Sequence, residues 1–298
     1  MKKLLFVMNP CAGMKKGNKS LAEILSVFNR GGWDVTVYIT ACGGDATKVV
    51  RQRAADFDLV VCAGGDGTFN ETVTGVLRAG VDVPLGYIPC GTTNDLAASA
   101  HLPLNPVEAA RNIVDGQPQR FDVGRFGEQY FTYIASFGAF TRVSYATPQV
   151  TKNAIGHAAY VLSGIHELSQ IRAEPVVVDT EKQVIQGSFL FGAVSNSTSV
   201  GGVLSLDPQQ VNLHDGLFEL LLVRAPKDAA EVTDCIRHLQ RQDYNCQMLT
   251  FLSAPKFRIS CQKPFDWTLD GERAEAGRTV EIANLPGAIQ IVTGGIQP

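Results

Sequence analysis

The clearest chemical signal in the sequence is a glycine-rich turn that carries an aspartate and a threonine. The segment 64–68, GGDGT, follows the apolar run Leu59–Cys62 and opens the helical stretch Phe69–Ala79. Glycines at a strand-to-helix turn let backbone N–H groups and the positive end of the helix approach a phosphate. Asp66 can reach a metal-bound water or a reacting hydroxyl, and Thr68 can hydrogen-bond a phosphate oxygen. The alternative is a tight turn in which Asp66 caps the helix, but three glycines interleaved with Asp and Thr favour a phosphate site.

A second polar turn follows the next strand. The segment 89–95, PCGTTND, comes after the apolar run Leu85–Ile88. In open α/β sheets the ligand binds beyond the carboxyl ends of the strands, so we expect Thr92 and Asp95 to lie near Asp66. Asn94 or Asp95 can also serve as the N-cap of the following helix, and we expect both roles. The first strand ends in a similar turn, NPCAG at 9–13, and the second strand ends at Thr40.

Neither turn fits the better known nucleotide fingerprints. The segment 64–68 is not a GxGxxG dinucleotide motif and not a Walker A motif. The sequence therefore disfavours the Rossmann and P-loop classes.

Two further carboxylate motifs stand in the second half of the chain. Asp215 lies in the segment 212–217, NLHDGL, and Glu272 lies in the segment 269–272, LDGE. Asp-Gly is typical of hairpin turns, and each motif read alone indicates nothing more. Asp122 is by itself uninformative.

Residues 1–125 alternate predicted strands with predicted helices, and the polar turns lie where the strands end. Near-continuous apolar runs predict strands that are buried on both faces, as in a parallel sheet. Gly31-Gly32 closes the first helix with the expected C-terminal glycine. The predicted strands are Leu4–Met8, Trp33–Tyr38, Leu59–Cys62 and Leu85–Ile88, and the predicted helices are Lys19–Arg30, Asp45–Ala55 and Phe69–Ala79. This order predicts an α/β domain with helices on both faces of an open sheet.

The pattern changes to short strands of period two from about Phe126 onward. Helices are predicted only at Ala154–Ile171 and Lys227–Arg241. We therefore predict an α/β domain over 1–125 and a β-rich domain over 126–288. The last segment, Ile289–Val292, can return to either domain, so the tail 289–298 is left open. The period-two strands are Tyr130–Ser136, Pro175–Val178, Ser188–Ser195, Phe218–Val223 and Phe257–Cys261.

Composition and charge exclude several classes of protein. The 298 residues are 45% hydrophobic, which is enough to bury a core and argues against disorder. The net charge of −3 gives no global positive field, so we expect no nucleic-acid partner. No apolar run approaches the length of a membrane span, and Leu4–Met8 is too short for a signal peptide. The seven scattered cysteines without a CxxC pair then indicate reduced thiols and a cytoplasmic protein.

The motifs taken together resemble the diacylglycerol kinase catalytic-domain family, and in particular its soluble bacterial lipid kinases. The resemblance is carried by NPCAG at 9–13, GGDGT at 64–68, GTTND at 91–95, HDGLFEL at 214–220 and LDGE at 269–272, in that order. GGDGT alone is shared with NAD kinases and, in close variants, with phosphofructokinases. The resemblance implies an N-terminal α/β ATP-binding domain, a C-terminal β-sandwich domain and an active site in the cleft between them.

The resemblance also implies roles for individual residues. Glu272 would be the general base for the acceptor hydroxyl, and Asp66, Asp95 and Asp122 would form a carboxylate cluster around Mg²⁺ and its waters. Asp215 would bind a second Mg²⁺ with the backbone carbonyls of Asn212 and Leu217. ATP would contact Asn9, Pro10, Cys11, Ala12, Gly13, Thr40, Gly65, Asp66, Gly67, Thr68, Phe69, Asn70, Glu71, Thr92 and Asp95.

The expected function is therefore an ATP- and Mg²⁺-dependent lipid kinase. Diacylglycerol is the expected acceptor and phosphatidic acid the expected product. Three alternatives stay open: a kinase for another lipid alcohol, a kinase for NAD, and a non-catalytic nucleotide-binding module. Such a lipid kinase would dock on the membrane surface only transiently, and a homodimer is expected on general frequency.

Overall fold

The structure is a computed structural model that describes residues 1–138, 173–200, 204–264 and 266–294. The chain forms two compact units, one of Met1–Val123 with Leu285–Pro298 and one of Gly124–Asn284. The helix predicted over Ala154–Ile171 lies outside the described residues.

The first unit alternates strands and helices, as the apolar runs predict. Its fifth helix is capped at Asn105, whose side chain accepts hydrogen bonds from the N–H groups of Val107 and Glu108. The elements are β1 (Lys2–Met8), α1 (Lys16–Arg30), β2 (Trp33–Ile39), α2 (Asp45–Arg53), β3 (Leu59–Gly64), α3 (Asp66–Ala79), β4 (Leu85–Pro89), α4 (Asp95–Ser99), α5 (Pro106–Asp115) and β5 (Gln117–Phe126).

The strands of this unit form a parallel sheet in the order β2-β1-β3-β4. One face packs against α1 and α5, through Phe28 and Ile113 among others. The other face meets α3, where the rings of Phe69 and Tyr87 lie 4.4 Å apart. Leu4 to Val7 are all fully buried, which explains why the strand reads as a continuous apolar run rather than an alternating one.

Helix ends in the first unit differ from the prediction by a few residues. Helix α3 begins at Asp66, because Gly65 and not a later residue is its N-cap. Helix α2 ends at Arg53, and a short 3₁₀ turn, Ala54–Asp56, follows it. The end of α1 is as predicted, since the Gly32 N–H donates to Asn29 O and Gly32 has a φ of 81°.

Where it is described, the second unit consists mainly of antiparallel strands. Gly124 begins it within β5, and β17 leaves it after Asn284. The remaining elements are β6 (Gln129–Phe131), β7 (Ile134–Gly138), β8 (Glu174–Asp179), β9 (Val184–Ser195), β10 (Ser199–Val200), β11 (Leu204–Ser205), β12 (Phe218–Arg224), α6 (Ala229–Gln240), β13 (Leu249–Ala254), β14 (Lys256–Cys261), β15 (Trp267–Leu269), β16 (Glu272–Ala274) and β17 (Thr279–Thr293).

The long strand β9 organises the second unit, because it pairs with β7, β8 and β12. Alternate residues of β7, β8 and β12 point into one aromatic-rich core, which Phe189 and Val194 of β9 join. In that core the ring of Trp267 lies 4.9 Å from Phe137 and 5.0 Å from Phe126. Large rings of this kind contribute about 0.5–1.5 kcal/mol per pair beyond their buried area, so they stabilise the unit strongly.

The last part of β17 packs in the first unit. Ile291 pairs in parallel with Leu85 of β4. The side chains of Arg120 and Gln290 both donate to the carboxylate of Asp82, at 2.6–3.0 Å. The sequence left the placement of this segment open, and these contacts place it beside β4.

Candidate active site

The polar turns of the first unit lie at one edge of the parallel sheet. The N–H of Asn9 donates to Ala63 O at 2.9 Å, and the N–H of Cys90 donates to Gly64 O at 2.7 Å. The N–H of Thr40 donates to Met8 O, which ties the end of β2 to the end of β1. The predicted convergence of four strand ends is therefore confirmed.

Two of these turns touch through backbone alone. A Cβ atom built on Gly91 would lie 2.6 Å from the Cα of Gly65, a separation that real Cβ atoms essentially never show. Gly13, with a φ of +48°, approaches the backbone of Cys90 so closely that a Cβ atom would clash with its carbonyl. Side chains are thus excluded at these contacts, and the strand ends present backbone groups.

Asp66 is held inside this edge rather than used as a cap. It is 8% exposed, and the N-cap of α3 is Gly65, with no side-chain cap hydrogen bond. Its Oδ2 accepts from the N–H of Asp95 at 3.3 Å, and its Oδ1 lies 3.5 Å from the Tyr87 hydroxyl. The capping alternative for Asp66 is wrong, and its predicted closeness to Asp95 is confirmed.

Asn94 is the N-cap residue of α4, as expected, with a φ of 55° but without a side-chain capping hydrogen bond. Instead its Nδ2 donates to Gly91 O at 3.1 Å. This hydrogen bond ties Asn94 to the second glycine turn. Asparagine is one of the few residues that adopt the αL conformation readily.

The residues around Thr68 join the first turn to α3. The Nδ2 of Asn9 donates to Thr68 Oγ1 at 3.0 Å, and Asn9 Oδ1 accepts from the N–H of Cys11 at 2.9 Å. Thr68 is 8% exposed. Asn9 therefore fixes the NPCAG turn against the start of α3, at the position the sequence indicates for a phosphate.

Two residues expected to contact ATP have other contacts in the structure. The ring of Phe69 is fully buried against Tyr87, so only its backbone lies at the sheet edge. The carboxylate of Glu71 accepts from the N–H groups of Gly44 and Ala46, at 2.7 and 3.2 Å. Glu71 thus stabilises the start of α2, where the helix dipole favours a negative charge.

The three carboxylates expected to surround Mg²⁺ do not form a compact group. Asp66, Asp95 and Asp122 are all at least nine-tenths buried, but their oxygens do not all lie within 4.8 Å of one another. Asp122 Oδ1 accepts from the N–H of Gly287 at 2.8 Å, which connects β5 to β17.

In the second unit, the DGE motif forms a tight hairpin between β15 and β16. Asp270 and Gly271 have φ values of 48° and 84°, as a type I′ turn requires, and Leu269 pairs with Glu272. The prediction that this Asp-Gly pair forms a hairpin turn is therefore confirmed. Glu272 is exposed at the start of β16.

Asp270 fixes that hairpin in place. Its carboxylate accepts from the N–H groups of Thr132, Tyr133 and Ile134 and from the Thr132 hydroxyl, at 2.6–3.0 Å. Burial raises the pKa of Asp270, although these four hydrogen bonds oppose the shift. The position of Glu272 relative to β7 is therefore set by its buried neighbour two residues earlier.

The segment 212–217 is a loop that contains two Asx-turns, in which a side-chain oxygen accepts from the N–H two residues later. The N–H of His214 donates to Asn212 Oδ1 at 3.1 Å, and the N–H of Leu217 donates to Asp215 Oδ1 at 2.9 Å. The carbonyl of Leu217 accepts from Asn284 Nδ2 at 3.0 Å. Asp215 and Asn212 are exposed, and Asp215 Oδ2 is not used in the turn.

Glu219 is a buried carboxylate that the sequence pattern missed. It is 1% exposed on β12, and the hydroxyl of Ser253 donates to its Oε1 at 3.3 Å. Burial, and then the charge of Asp215, raise the pKa of Glu219 to about 8. Its Oε2 is buried with no hydrogen-bond partner among the described residues. The alternation along β12 predicts that Glu219 lies on the face opposite the core. The sequence does not indicate that side chains on that second face are also buried.

Both halves of the chain match known families. The diacylglycerol kinase catalytic domain family matches residues 3–126, and the YegS C-terminal NAD kinase beta sandwich-like domain family matches residues 134–293. The diacylglycerol kinase of Bacillus subtilis (strain 168) is 32% identical over 274 residues, which covers 91% of this chain and 90% of the relative. The chain belongs to the diacylglycerol kinase catalytic-domain family.

A further relative and a solved structure also match over most of the chain. The diacylglycerol kinase of Staphylococcus aureus (strain MRSA252) is 32% identical over 91% of this chain and 86% of its own. A solved diacylglycerol kinase structure from Bacillus anthracis str. Sterne has a TM-score of 0.79 at 22% identity, covering 99% and 97% of the two chains. That structural likeness shows the fold alone. The predicted fold class, an α/β N-terminal domain followed by a β-sandwich C-terminal domain, is confirmed.

Membership identifies the chain as one of a kinase family. Within the described residues of this family member, no helix is both long enough and apolar enough to cross a membrane.

Proposed function

We propose that the protein is a lipid kinase that transfers the γ-phosphate of ATP to the free hydroxyl of diacylglycerol and releases phosphatidic acid. The observation that carries the proposal is the close contact of Gly65 with Gly91 at the strand ends, beside the anchored carboxylate of Asp66. Backbone N–H groups at strand-to-helix turns are a general solution for binding phosphates. Relatives named diacylglycerol kinase support the acceptor class.

In this proposal the two parts of the chain divide the substrates. Residues 1–125 with the tail 289–298 bind ATP, and residues 126–288 bind the lipid. The ATP contacts are the NPCAG turn, Thr40, the start of α3 and Thr92. Phe69 contributes backbone only, because its ring is buried, and Glu71 contributes by holding the start of α2.

The reaction needs positioning, charge neutralisation and one proton acceptor. The acceptor hydroxyl oxygen forms a bond to the γ-phosphorus, and the bond from that phosphorus to the ADP oxygen breaks. Glu272 accepts the proton that the hydroxyl loses, which is typically worth about 10²–10⁴-fold in rate. Asp270 keeps Glu272 in position through its four hydrogen bonds.

The residues present fit magnesium at two places. Mg²⁺ prefers oxygen ligands and retains several waters. In the first unit, Asp66, Asp95 and Asp122 supply buried carboxylates. In the loop 212–217, Asp215 and the carbonyls of Asn212 and Leu217 supply oxygens. The buried, unpartnered Oε2 of Glu219, described above, lies two residues after this loop and favours a cation nearby. Bound Mg²⁺ would neutralise charge on the transferring phosphoryl group at the first place and hold the loop at the second.

The test is transfer of label from γ-labelled ATP with magnesium to a panel of acceptors. The panel contains mixed micelles with diacylglycerol, micelles with other lipid alcohols, and NAD in a separate reaction. We expect label in phosphatidic acid. Label in another lipid would keep the mechanism and replace the acceptor, and label only in NADP would overturn the lipid proposal. No label in any acceptor would favour the non-catalytic module.

A further inference from the structure

A second group of metal-ligating side chains lies in the second unit, away from the loop 212–217 in sequence. Asp234 and His238 are four residues apart on α6, so they share one face of the helix. Cys246 comes from the segment between α6 and β13. One ligand atom from each of the three residues lies within 4.8 Å of the other two.

The chain after α6 turns back tightly, and this brings Cys246 to the helix. Gln242 adopts a φ of 55°, and the N–H of Asp243 donates to His238 O at 3.0 Å. The N–H of Leu249 then donates to Cys246 O at 3.0 Å. The ring of Tyr244 stacks on Phe251 of β13 at 4.0 Å, so the segment is packed and not a loose connection.

The imidazole of His238 is oriented as a ligand would be. Its Nδ1 lies 3.2 Å from the Asp243 carbonyl oxygen and 3.1 Å from Asp243 Oδ2. Two acceptors on that side place the ring proton on Nδ1, because a bare nitrogen would face two oxygens. Metal-binding histidines commonly donate their second ring N–H to a carbonyl or carboxylate in this way.

The other ring nitrogen then faces a carboxylate. Nε2 of His238 lies 3.8 Å from Asp234 Oδ2. A cation in place of a proton on Nε2 would be coordinated by Nε2, by Asp234 Oδ2 and by the Cys246 sulfur. The other oxygen of Asp234 is paired with Arg237 at 3.3 Å, which leaves Oδ2 for the cation.

The kinds of donor select the metal. Nitrogen, sulfur and one carboxylate oxygen suit Zn²⁺ and similar transition metals, whereas Mg²⁺ takes oxygen ligands only. Ligand atoms around tetrahedral zinc stand about 3.3–3.8 Å apart, given bond lengths of about 2.0–2.3 Å. The three side chains are partly exposed, so they can close from their present separation by small rotations.

We propose that Asp234, His238 and Cys246 form a zinc site that fastens the end of α6 to the segment before β13. Three protein ligands leave the fourth position for water. The site is independent of the proposed kinase function and of its magnesium, so the two proposals can fail separately.

Cobalt substitution tests the site, because a Co²⁺–thiolate bond gives an absorption band that neither Mg²⁺ nor a carboxylate site produces. The full chain is stripped with a chelator, reduced, and titrated with Co²⁺ and then with Zn²⁺. We expect one equivalent of Co²⁺ to give the thiolate band, Zn²⁺ to abolish it, and excess Mg²⁺ to leave it unchanged. Zn²⁺ should also raise the melting temperature.

Variants assign the band to this cluster. Cys246→Ser should lose the thiolate band, and His238→Asn should weaken Co²⁺ binding at least about tenfold. Cys261→Ser is the matched control, since Cys261 lies on β14 and its Sγ contacts only the Arg278 carbonyl among its described hydrogen bonds. The proposal is overturned if the parent shows no thiolate band, or if Cys246→Ser and His238→Asn both bind Co²⁺ as the parent does. Asp234→Asn provides a third test if Cys246→Ser does not fold.

Discussion

Asp270 and Glu272 flank Gly271 and stand in contrasting surroundings. Asp270 is 6% exposed and accepts four hydrogen bonds, whereas Glu272 is exposed at the first position of β16. A type I′ turn reverses the chain within two residues, so one carboxylate can be structural while the next is presented to a substrate. The proposed division of labour follows: Asp270 positions, and Glu272 accepts the proton.

Changing the proposed base should affect turnover and not nucleotide binding. We expect Glu272→Gln to lower kcat by about 10²–10⁴-fold, because the amide cannot accept the hydroxyl proton. ATP affinity, measured by calorimetry, should stay close to that of the parent. The matched control is Glu275→Gln, an exposed carboxylate three residues later, which should retain activity. Near-normal kcat in Glu272→Gln would discard the base assignment.

Asp270→Asn should instead reduce stability. The amide offers one acceptor oxygen where the carboxylate offered two, and its NH₂ group would face backbone N–H donors. Hydrogen bonds to charged groups contribute about 1.5–3 kcal/mol each, so we expect a loss of at least this size in the free energy of unfolding. Urea unfolding measures it. A variant as stable as the parent would show that the four hydrogen bonds do not hold the hairpin.

The glycine turns matter as elements because they let two strand ends meet without side chains. Gly65 follows β3, and Gly91 follows β4, and these strands pair in parallel from Val60–Leu85 to Gly64–Pro89. Because Gly64 pairs with Pro89, Gly65 and Gly91 follow the paired strand ends by one and two residues and lie at the same edge of the sheet.

Gly91→Ala should disturb this edge. The added Cβ would lie 2.6 Å from Gly65 Cα and 2.7 Å from Asn94 Oδ1, so the turn must shift. We expect ATP affinity to fall by at least about tenfold, equivalent to about 1.4 kcal/mol. The control is Gly43→Ala, whose Cβ would meet only Glu71 Oε1, at 3.9 Å. Equal ATP affinity in both variants would contradict the phosphate site.

The stability of the loop 212–217 should depend on magnesium. We expect Asp215→Ala to lower the melting temperature in magnesium and to lower it less after chelation, because a bound cation stabilises the folded state by mass action. The matched variant is Asp207→Ala, an acidic residue of the same unit whose side chain bonds Gln209 and Gln210 and lies outside the loop. If the Asp215→Ala deficit is the same with and without magnesium, no cation binds there.

The pairing of Asp82 with β5 and β17 predicts a small dependence of stability on pH. Hydrogen bonds from Gln290 and Arg120 hold the pKa of Asp82 below its usual range. Its contribution is therefore present above the unfolded-state pKa and is lost as pH falls through the folded-state pKa. We expect Asp82→Asn to cost under about 1 kcal/mol at pH 7, since the groups are exposed, and nothing at low pH. Urea titrations of the parent, Asp82→Asn and the exposed control Asp34→Asn measure this. A deficit that persists unchanged at low pH would contradict the ionic contribution.

Considering the whole molecule, the sequence predicts most of the first unit, because apolar runs and glycine turns are local signals. It predicts the convergence of the strand ends, since parallel strands must end at one edge. It does not predict that Phe69 turns inward, that Glu71 holds α2 or that Glu219 is buried. These placements depend on which element packs against each side chain. Hydrophobic periodicity and secondary-structure propensity do not contain that information. The same limit applies to β17, whose return to β4 is a long-range pairing.

The proposed reaction is phosphoryl transfer from ATP to a lipid hydroxyl. The most direct measurement is identification by mass spectrometry of the product formed from γ-labelled ATP, magnesium and diacylglycerol in mixed micelles. We predict phosphatidic acid that carries the label, at a rate that Glu272→Gln reduces by orders of magnitude. Unmodified diacylglycerol in the presence of protein that binds ATP would contradict it.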